Sequence, residues 1–220
     1  MARAPRVLGD GIHYHVILRC NNGEYLLQTE SDYKQFISIL SRLKAELMFK
    51  IYNYTLMHSH AHLILSTHQG YFLDEVMHRF CLKYAKDFNK RNDRTGHLWK
   101  NRYRAKIIFN DLHAIACLRY QHRNPDRACM VNSPEEWLWS GYSFYAYGKE
   151  DPFLTPHPAY IALSKDPALR QLRYRKFVEQ PLTSAECRLF ERRNFGASRR
   201  LQRELEKIIL PRYQIVSGTI

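Results

Sequence analysis

The sequence has no uninterrupted apolar run close to the roughly 18 residues of a membrane-spanning helix, so an integral helical membrane protein is not expected. It opens on the basic stretch Met1-Ala2-Arg3-Ala4-Pro5-Arg6, but the apolar segment of a secretory signal does not follow. There is no Cys-x-x-Cys pair. The five cysteines, Cys20, Cys81, Cys117, Cys129 and Cys187, are odd in number and widely spaced. That excludes a zinc ribbon or a paired redox motif and predicts buried, reduced thiols in a cytoplasmic protein. Internal repeats and low-complexity tracts are also missing. Acidic residues are scarce: 21 Asp and Glu stand against 34 Lys and Arg, a net charge of +13. Such an excess points to a polyanionic partner, nucleic acid first, or serves solubility alone. What is plentiful is apolar and aromatic material, 45% and 13% of the 220 residues, too much for a disordered basic tail and enough for one large domain or a domain with an appendage.

Periodicity orders the first half of the chain. Residues 13–20 are β-branched and aromatic and read as a strand. Residues 31–48 follow the cap signal Ser31-Asp32 with Phe36, Ile37, Ile39, Leu40, Leu43 and Leu47 at helical spacing. Residues 50–57 and 60–66 read as two strands joined by a tight turn at His58-Ser59. A helix is predicted over 71–91, with Phe72, Val76, Phe80, Leu82 and Tyr84 as its apolar residues, then a strand over 103–109. A last helix, capped by Asp111, ends before Pro125. The order β-α-β-β-α-β-α predicts an α+β fold of the ferredoxin-like kind, an antiparallel sheet with helices on one face. The aromatic segment 126–150 has no readable period. Beyond residue 151 the prolines mark a linker, followed by helical segments near 158–163, 167–179, 183–192 and 197–209. The expected division is therefore a core over 1–150 and a basic helical extension over 151–220. The tail carries Arg188, Arg192, Arg193, Arg199, Arg200 and Arg203, either a solvated surface or a DNA-binding one.

His58, His60 and His62 alternate in sequence, and alternate residues of a strand share a face. His60 and His62 then project side by side, about 7 Å apart along the chain. Two imidazoles so placed either grip one divalent ion or satisfy polar contacts on a half-buried face. His13 and His15 repeat the alternation, and His58 reads as a turn residue. On the helix after Asp111, Tyr120 and Asn124 are four residues apart and share a side. A phenol there suits attack on a phosphodiester, and an amide oxygen suits a metal ligand, while His122 has a reading as a phosphate contact. With 15 tyrosines in the chain, packing is the ordinary reading of any one of them.

These segments resemble the single-tyrosine HUH transposases. The resemblance rests on four pieces in order: Tyr54-Thr55-Leu56-Met57 followed by His60-Ala61-His62-Leu63-Ile64; Leu98-Trp99-Lys100-Asn101-Arg102-Tyr103; Arg119-Tyr120-Gln121-His122-Arg123-Asn124-Pro125-Asp126-Arg127-Ala128; and Trp139-Ser140-Gly141-Tyr142. It covers about residues 10–150 and is nearest to the REP-associated tyrosine transposases. It implies a ferredoxin-like HUH nuclease core and Mg²⁺ or Mn²⁺ held by His60, His62 and Asn124. It further implies Tyr120 as the nucleophile that attacks single-stranded or hairpin DNA to form a 5′-phosphotyrosine link. The sequence departs from the family in four places: His58-Ser59 stands where Pro-Asn is usual, Gln121 where isoleucine or valine follows the tyrosine, Cys129 where it has glycine, and Gly141 where it has serine.

Basic and aromatic residues interleave at Lys83, Lys86, Lys90, Arg91, Arg94, Trp99, Lys100, Arg102, Tyr103, Arg104 and Lys106, a pattern suited to unpaired DNA. Alternation of Arg102, Arg104 and Lys106 predicts a phosphate track on one strand face. The expectation is a metal-dependent single-stranded DNA endonuclease and strand transferase, acting within one chain or across a homodimer. The rivals are a domesticated hairpin-binding module for DNA or RNA, and a phosphoesterase that uses water.

Overall fold

The protein is described by a computed structural model, which covers residues 8–68, 70–191 and 199–217. Its elements in order are β1 (His13–Arg19), α1 (Glu30–Leu47), β2 (Lys50–Leu56), β3 (His60–Ser66), α2 (Leu73–Arg91), β4 (Arg104–Ile108), α3 (Asp111–His122), α4 (Asn124–Arg127), α5 (Tyr142–Tyr147), α6 (Pro158–Ile161), α7 (Pro167–Glu179), α8 (Ser184–Glu191) and α9 (Arg199–Ser217). The four strands form one sheet in the order β2-β3-β1-β4. This is the ferredoxin-like arrangement that the element order predicts. The chain separates into two compact units, residues 1–51 with 56–105, and residues 52–55 with 106–220.

In the first unit β1 and β3 pair antiparallel with Ile17 opposite His62 and Arg19 opposite His60. Because opposed residues share a face, His13, His15, Ile17 and Arg19 lie on the same side as His60, His62, Ile64 and Ser66. The other side carries Tyr14, Val16, Leu18, Ala61, Leu63 and Leu65, all buried, and with the apolar stripes of α1 and α2 it makes the core. Phe36 of α1 meets Phe80 and Tyr84 of α2 edge to face, with centroids 4.6 and 5.4 Å apart. The α1 start is a capping box two residues earlier than Ser31 suggests. Thr29 Oγ1 accepts from the Asp32 backbone N–H, and Asp32 returns a carboxylate oxygen to that of Thr29. Leu82, expected among the apolar residues of α2, is 63% exposed and faces away from the core.

The second unit is helical around α3. Every residue from His113 to His122 is buried, so α3 has no solvent face. Its cap is Asn110, whose Oδ1 accepts from the His113 N–H at 2.8 Å, and Asp111, the expected cap, stands in the first turn. The unplaced segment 126–150 resolves into turns and α5. Tyr145 of α5 donates to the Tyr52 carbonyl and packs against Tyr160 and Tyr174, an aromatic cluster with no regular spacing. Helix α9 runs past residue 209, where its end was predicted, through Pro211 to Ser217. Its later turns are held by Arg212, which donates to the Pro181 carbonyl, and by Tyr213, packed edge-on to Phe177. Of the basic tail residues, Arg192 and Arg193 lie outside the described residues, as do the side chains of Arg199 and Arg200. The turn after α4 keeps a left-handed residue where the family has glycine: Cys129 has φ 55°, and its N–H bonds the Asp126 carbonyl. Cys129 is also exposed, against the expectation that the thiols are buried. Among the described residues no helix is long and apolar enough to cross a membrane.

Candidate active site

The candidate side chains form two sets, one in each unit. In the first unit, His60 and His62 stand on the same face of β3, their ring centroids 5.0 Å apart and their planes 78° to each other. Each ring has its Nδ1 engaged. Ser59 Oγ lies 3.1 Å from Nδ1 of His60, and Nε2 of His15 lies 2.8 Å from Nδ1 of His62. In the tautomer whose Nδ1 carries the proton into these contacts, Nε2 is the nitrogen that bears the lone pair. His62 is 3% exposed, a setting in which water competes weakly for an ion. His58, the additional histidine of this stretch, is turned to the loop instead: its Nδ1 is 3.0 Å from both the Tyr33 hydroxyl and the Leu27 carbonyl. Among the described residues no group of three or more His, Cys, Asp or Glu is placed to hold a metal. The donor chemistry of the pair fits a divalent first-row ion completed by oxygen ligands better than it fits Mg²⁺, which prefers an all-oxygen shell.

In the second unit, Tyr120 lies near the end of α3, 5% exposed. Phe190 stacks on its ring at 4.8 Å with the planes 24° apart. Arg127 hydrogen-bonds the phenol, and its guanidinium carbon sits 5.8 Å from the ring centroid. Burial raises the Tyr120 pKa, and Arg127 opposes that rise by hydrogen bond and charge. The backbone stays helical through Arg123, so Asn124 follows Tyr120 by about one turn. Asn124 Nδ2 is buried without a hydrogen-bond partner; as a donor it suits an outside acceptor such as a phosphate oxygen, and only Oδ1 of this amide has a lone pair to offer a cation.

The neighbours of Tyr120 are fixed by polar contacts distant in sequence. His122 is fully buried, with Nε2 2.8 Å from Asn53 Oδ1 and Nδ1 2.6 Å from the Tyr174 hydroxyl. Burial pushes its pKa down to about 3, so it is neutral and structural, not the phosphate contact that the sequence allowed. Asn53 completes the chain by donating to Gln121 Oε1 at 2.8 Å. Gly141 touches the same amide. A Cβ there would lie 2.2 Å from Asn53 Oδ1, so the serine usual in the family does not fit this packing.

The sequence model of the family described as "Transposase IS200 like" matches residues 10–124, more than half of the chain. The chain belongs to the IS200-like transposases. The solved structure titled as a REP-associated tyrosine transposase bound to a REP hairpin is similar to it. That match has a TM-score of 0.57 and 19% identity, and covers 71% of this chain and 93% of the other. This likeness extends to the fold. No curated protein sequence matches the chain.

The basic residues of this transposase divide by what they touch. On the histidine face of the first unit, Arg19, Lys100, Asn101, Arg102 and Arg104 line a cleft floored by Ile17. A bridge between Cys20 and Trp99, with Lys100 N–H on the Arg19 carbonyl at 2.9 Å, sets Lys100 beside Arg19. Arg19 is not singled out by the sequence, and only the β1–β3 register reveals it opposite His60. Arg102 also borders a second cavity of about 420 Å³, lined by Trp99, Tyr103, Met77, His78 and Asp74. Trp99 is half-buried, its indole N–H on the Cys81 carbonyl. Lys106 departs from the predicted phosphate track: it is 4% exposed, with its ammonium on the Phe190 carbonyl. Arg91 is bound to Asp32 and Lys83 to Asp87, while Lys86 and Lys90 are exposed on α2.

Proposed function

We propose that this transposase cuts and joins single-stranded DNA beside a hairpin, with Tyr120 as nucleophile and His60, His62 and Asn124 as ligands of Mg²⁺ or Mn²⁺. The carrying observation is the pair His60 and His62, both engaged at Nδ1 and both on the sheet face that carries the cationic cleft. A divalent cation held there would polarise the scissile phosphate and offset its developing charge.

The chain's own groups account for the rest. The Tyr120 oxygen attacks phosphorus as the phenol gives up its proton, with the Arg127 guanidinium stabilising the phenolate. A tyrosine–phosphate bond forms at the 5′ side, the bond from phosphorus to the 3′ oxygen breaks, and that oxygen leaves as a 3′-hydroxyl after taking a proton. Strand transfer is the reverse attack by a 3′-hydroxyl on the phosphotyrosine. Arg19, Lys100, Arg102 and Arg104 support the backbone of the unpaired strand. The 420 Å³ cavity beside Trp99 suits one unstacked base, with Arg102 at its rim for the adjoining phosphate.

The test is incubation with labelled hairpin DNA and Mn²⁺, followed by denaturing electrophoresis. The expected product is a protein–DNA adduct that survives denaturation, is lost in Tyr120→Phe and in His60→Ala, and is absent under chelation. An adduct persisting in Tyr120→Phe overturns the nucleophile. Cleavage with no adduct makes the protein a hydrolase that uses water, and binding with neither makes it a hairpin-binding module.

A further inference from the structure

His15 is a fully buried imidazole on the central strand β1, outside every motif that the family resemblance uses. In the register of the sheet it sits diagonally across from His62, one pair beyond Ile17, on the same face. Its Nε2 is 2.8 Å from Nδ1 of His62, with ring centroids 5.1 Å apart and planes 33° apart. Two central strands fix both rings, so the contact is set by backbone pairing and does not depend on a loop.

One proton is shared across this contact, and its position decides what His62 offers. If the proton sits on His15, Nδ1 of His62 accepts it, Nε2 of His62 carries hydrogen, and the ring has no lone pair to give a cation. If the proton sits on Nδ1 of His62, Nε2 of His62 is an open donor. Metal-bound imidazoles give their second N–H to an acceptor that fixes ring orientation and tautomer. Here the neighbour in that place is an imidazole nitrogen, whereas His60 has the Ser59 hydroxyl.

We infer that His15 is a positioning residue: it accepts the Nδ1–H of His62, holds that tautomer, and aims Nε2 of His62 at a divalent cation. The inference rests on the metal-site reading above and goes beyond it in assigning a role to a residue outside the ligand set.

Three measurements test it. In the metal-free protein with ¹⁵N-labelled histidine, long-range proton–nitrogen correlation is expected to report His62 as the Nδ1–H tautomer; finding Nε2–H overturns the inference without any variant. Manganese titration followed by electron paramagnetic resonance is expected to show affinity reduced about 10–100-fold in His15→Phe. It is expected to be largely restored in His15→Gln, whose amide oxygen accepts the same hydrogen bond. Wild-type affinity in a folded His15→Phe overturns the inference, as does failure of folded His15→Gln to restore it. His62→Ala is the separate arm for the site itself: if it binds Mn²⁺ as tightly as wild type, the metal-site reading fails and takes this role with it. If His62→Ala loses the ion while His15→Phe keeps it, only the positioning role fails.

Discussion

Arg119 and Glu186 meet as an ion pair whose two side chains are completely buried, joining α3 to α8. Arg119 is further held by the carbonyls of Gln180 and Pro181, and by the Phe177 ring at 4.8 Å. Glu186 also serves the cap of α8, accepting from the Thr183 N–H at 2.7 Å and hydroxyl at 2.9 Å. Removing one charge from such a pair strands the other in a low dielectric. Glu186→Gln is therefore expected to destabilise the protein by about 3–5 kcal/mol, and the apolar double replacement Arg119→Met with Glu186→Leu by less than the single change. Urea unfolding followed by circular dichroism reads both. A loss below about 1 kcal/mol for Glu186→Gln would show that the pair does not anchor α8.

The same helix carries Tyr120, whose phenol is hard to ionise because it is buried. Arg127 is the group that opposes this, by hydrogen bond and charge. A one-unit rise in the phenol pKa corresponds to about tenfold less phenolate at fixed pH. Arg127→Gln is expected to slow adduct formation by about that factor or more near neutral pH, with part of the deficit recovered as pH rises toward the phenol pKa. Single-turnover rates across pH check this, and a rate equal to wild type at every pH removes Arg127 from the reaction.

Much of this architecture is legible in the sequence because it depends on local spacing. β-branched and aromatic residues mark β1, alternate histidines mark β3, apolar spacing marks α1 and α2, and Pro125 stands just after the end of α3. What stays hidden depends on partners far along the chain. His122 looks like a candidate phosphate contact until Asn53 and Tyr174 occupy both of its nitrogens. Lys106 has the alternation of a surface track, yet its ammonium is bound by the Phe190 carbonyl, 84 residues later. Arg19 and His15 gain meaning only from the β1–β3 register, which sets one opposite His60 and the other diagonal to His62. Helix α3 lacks a polar face because helices on several sides cover it, and no period within its own residues announces that.

That register gives the cationic cleft a measurable signature. Each phosphate neutralised by a cation releases counterions, so the logarithm of the binding constant falls with the logarithm of salt in proportion to the number of contacts, with a slope of about 0.7 per contact for single strands. Arg19 is exposed in the cleft, opposite His60. Arg19→Gln is expected to reduce the salt slope for single-stranded DNA by about 0.7 and to weaken binding similarly across unrelated sequences. Lys106→Gln is expected to leave the slope unchanged, since its ammonium already has the Phe190 carbonyl and is buried, and to lower the melting temperature instead. Fluorescence anisotropy over a range of salt concentrations distinguishes the two. A slope that falls in Lys106→Gln and holds in Arg19→Gln would move the DNA path away from the cleft and onto the strand face that the sequence pattern alone favours.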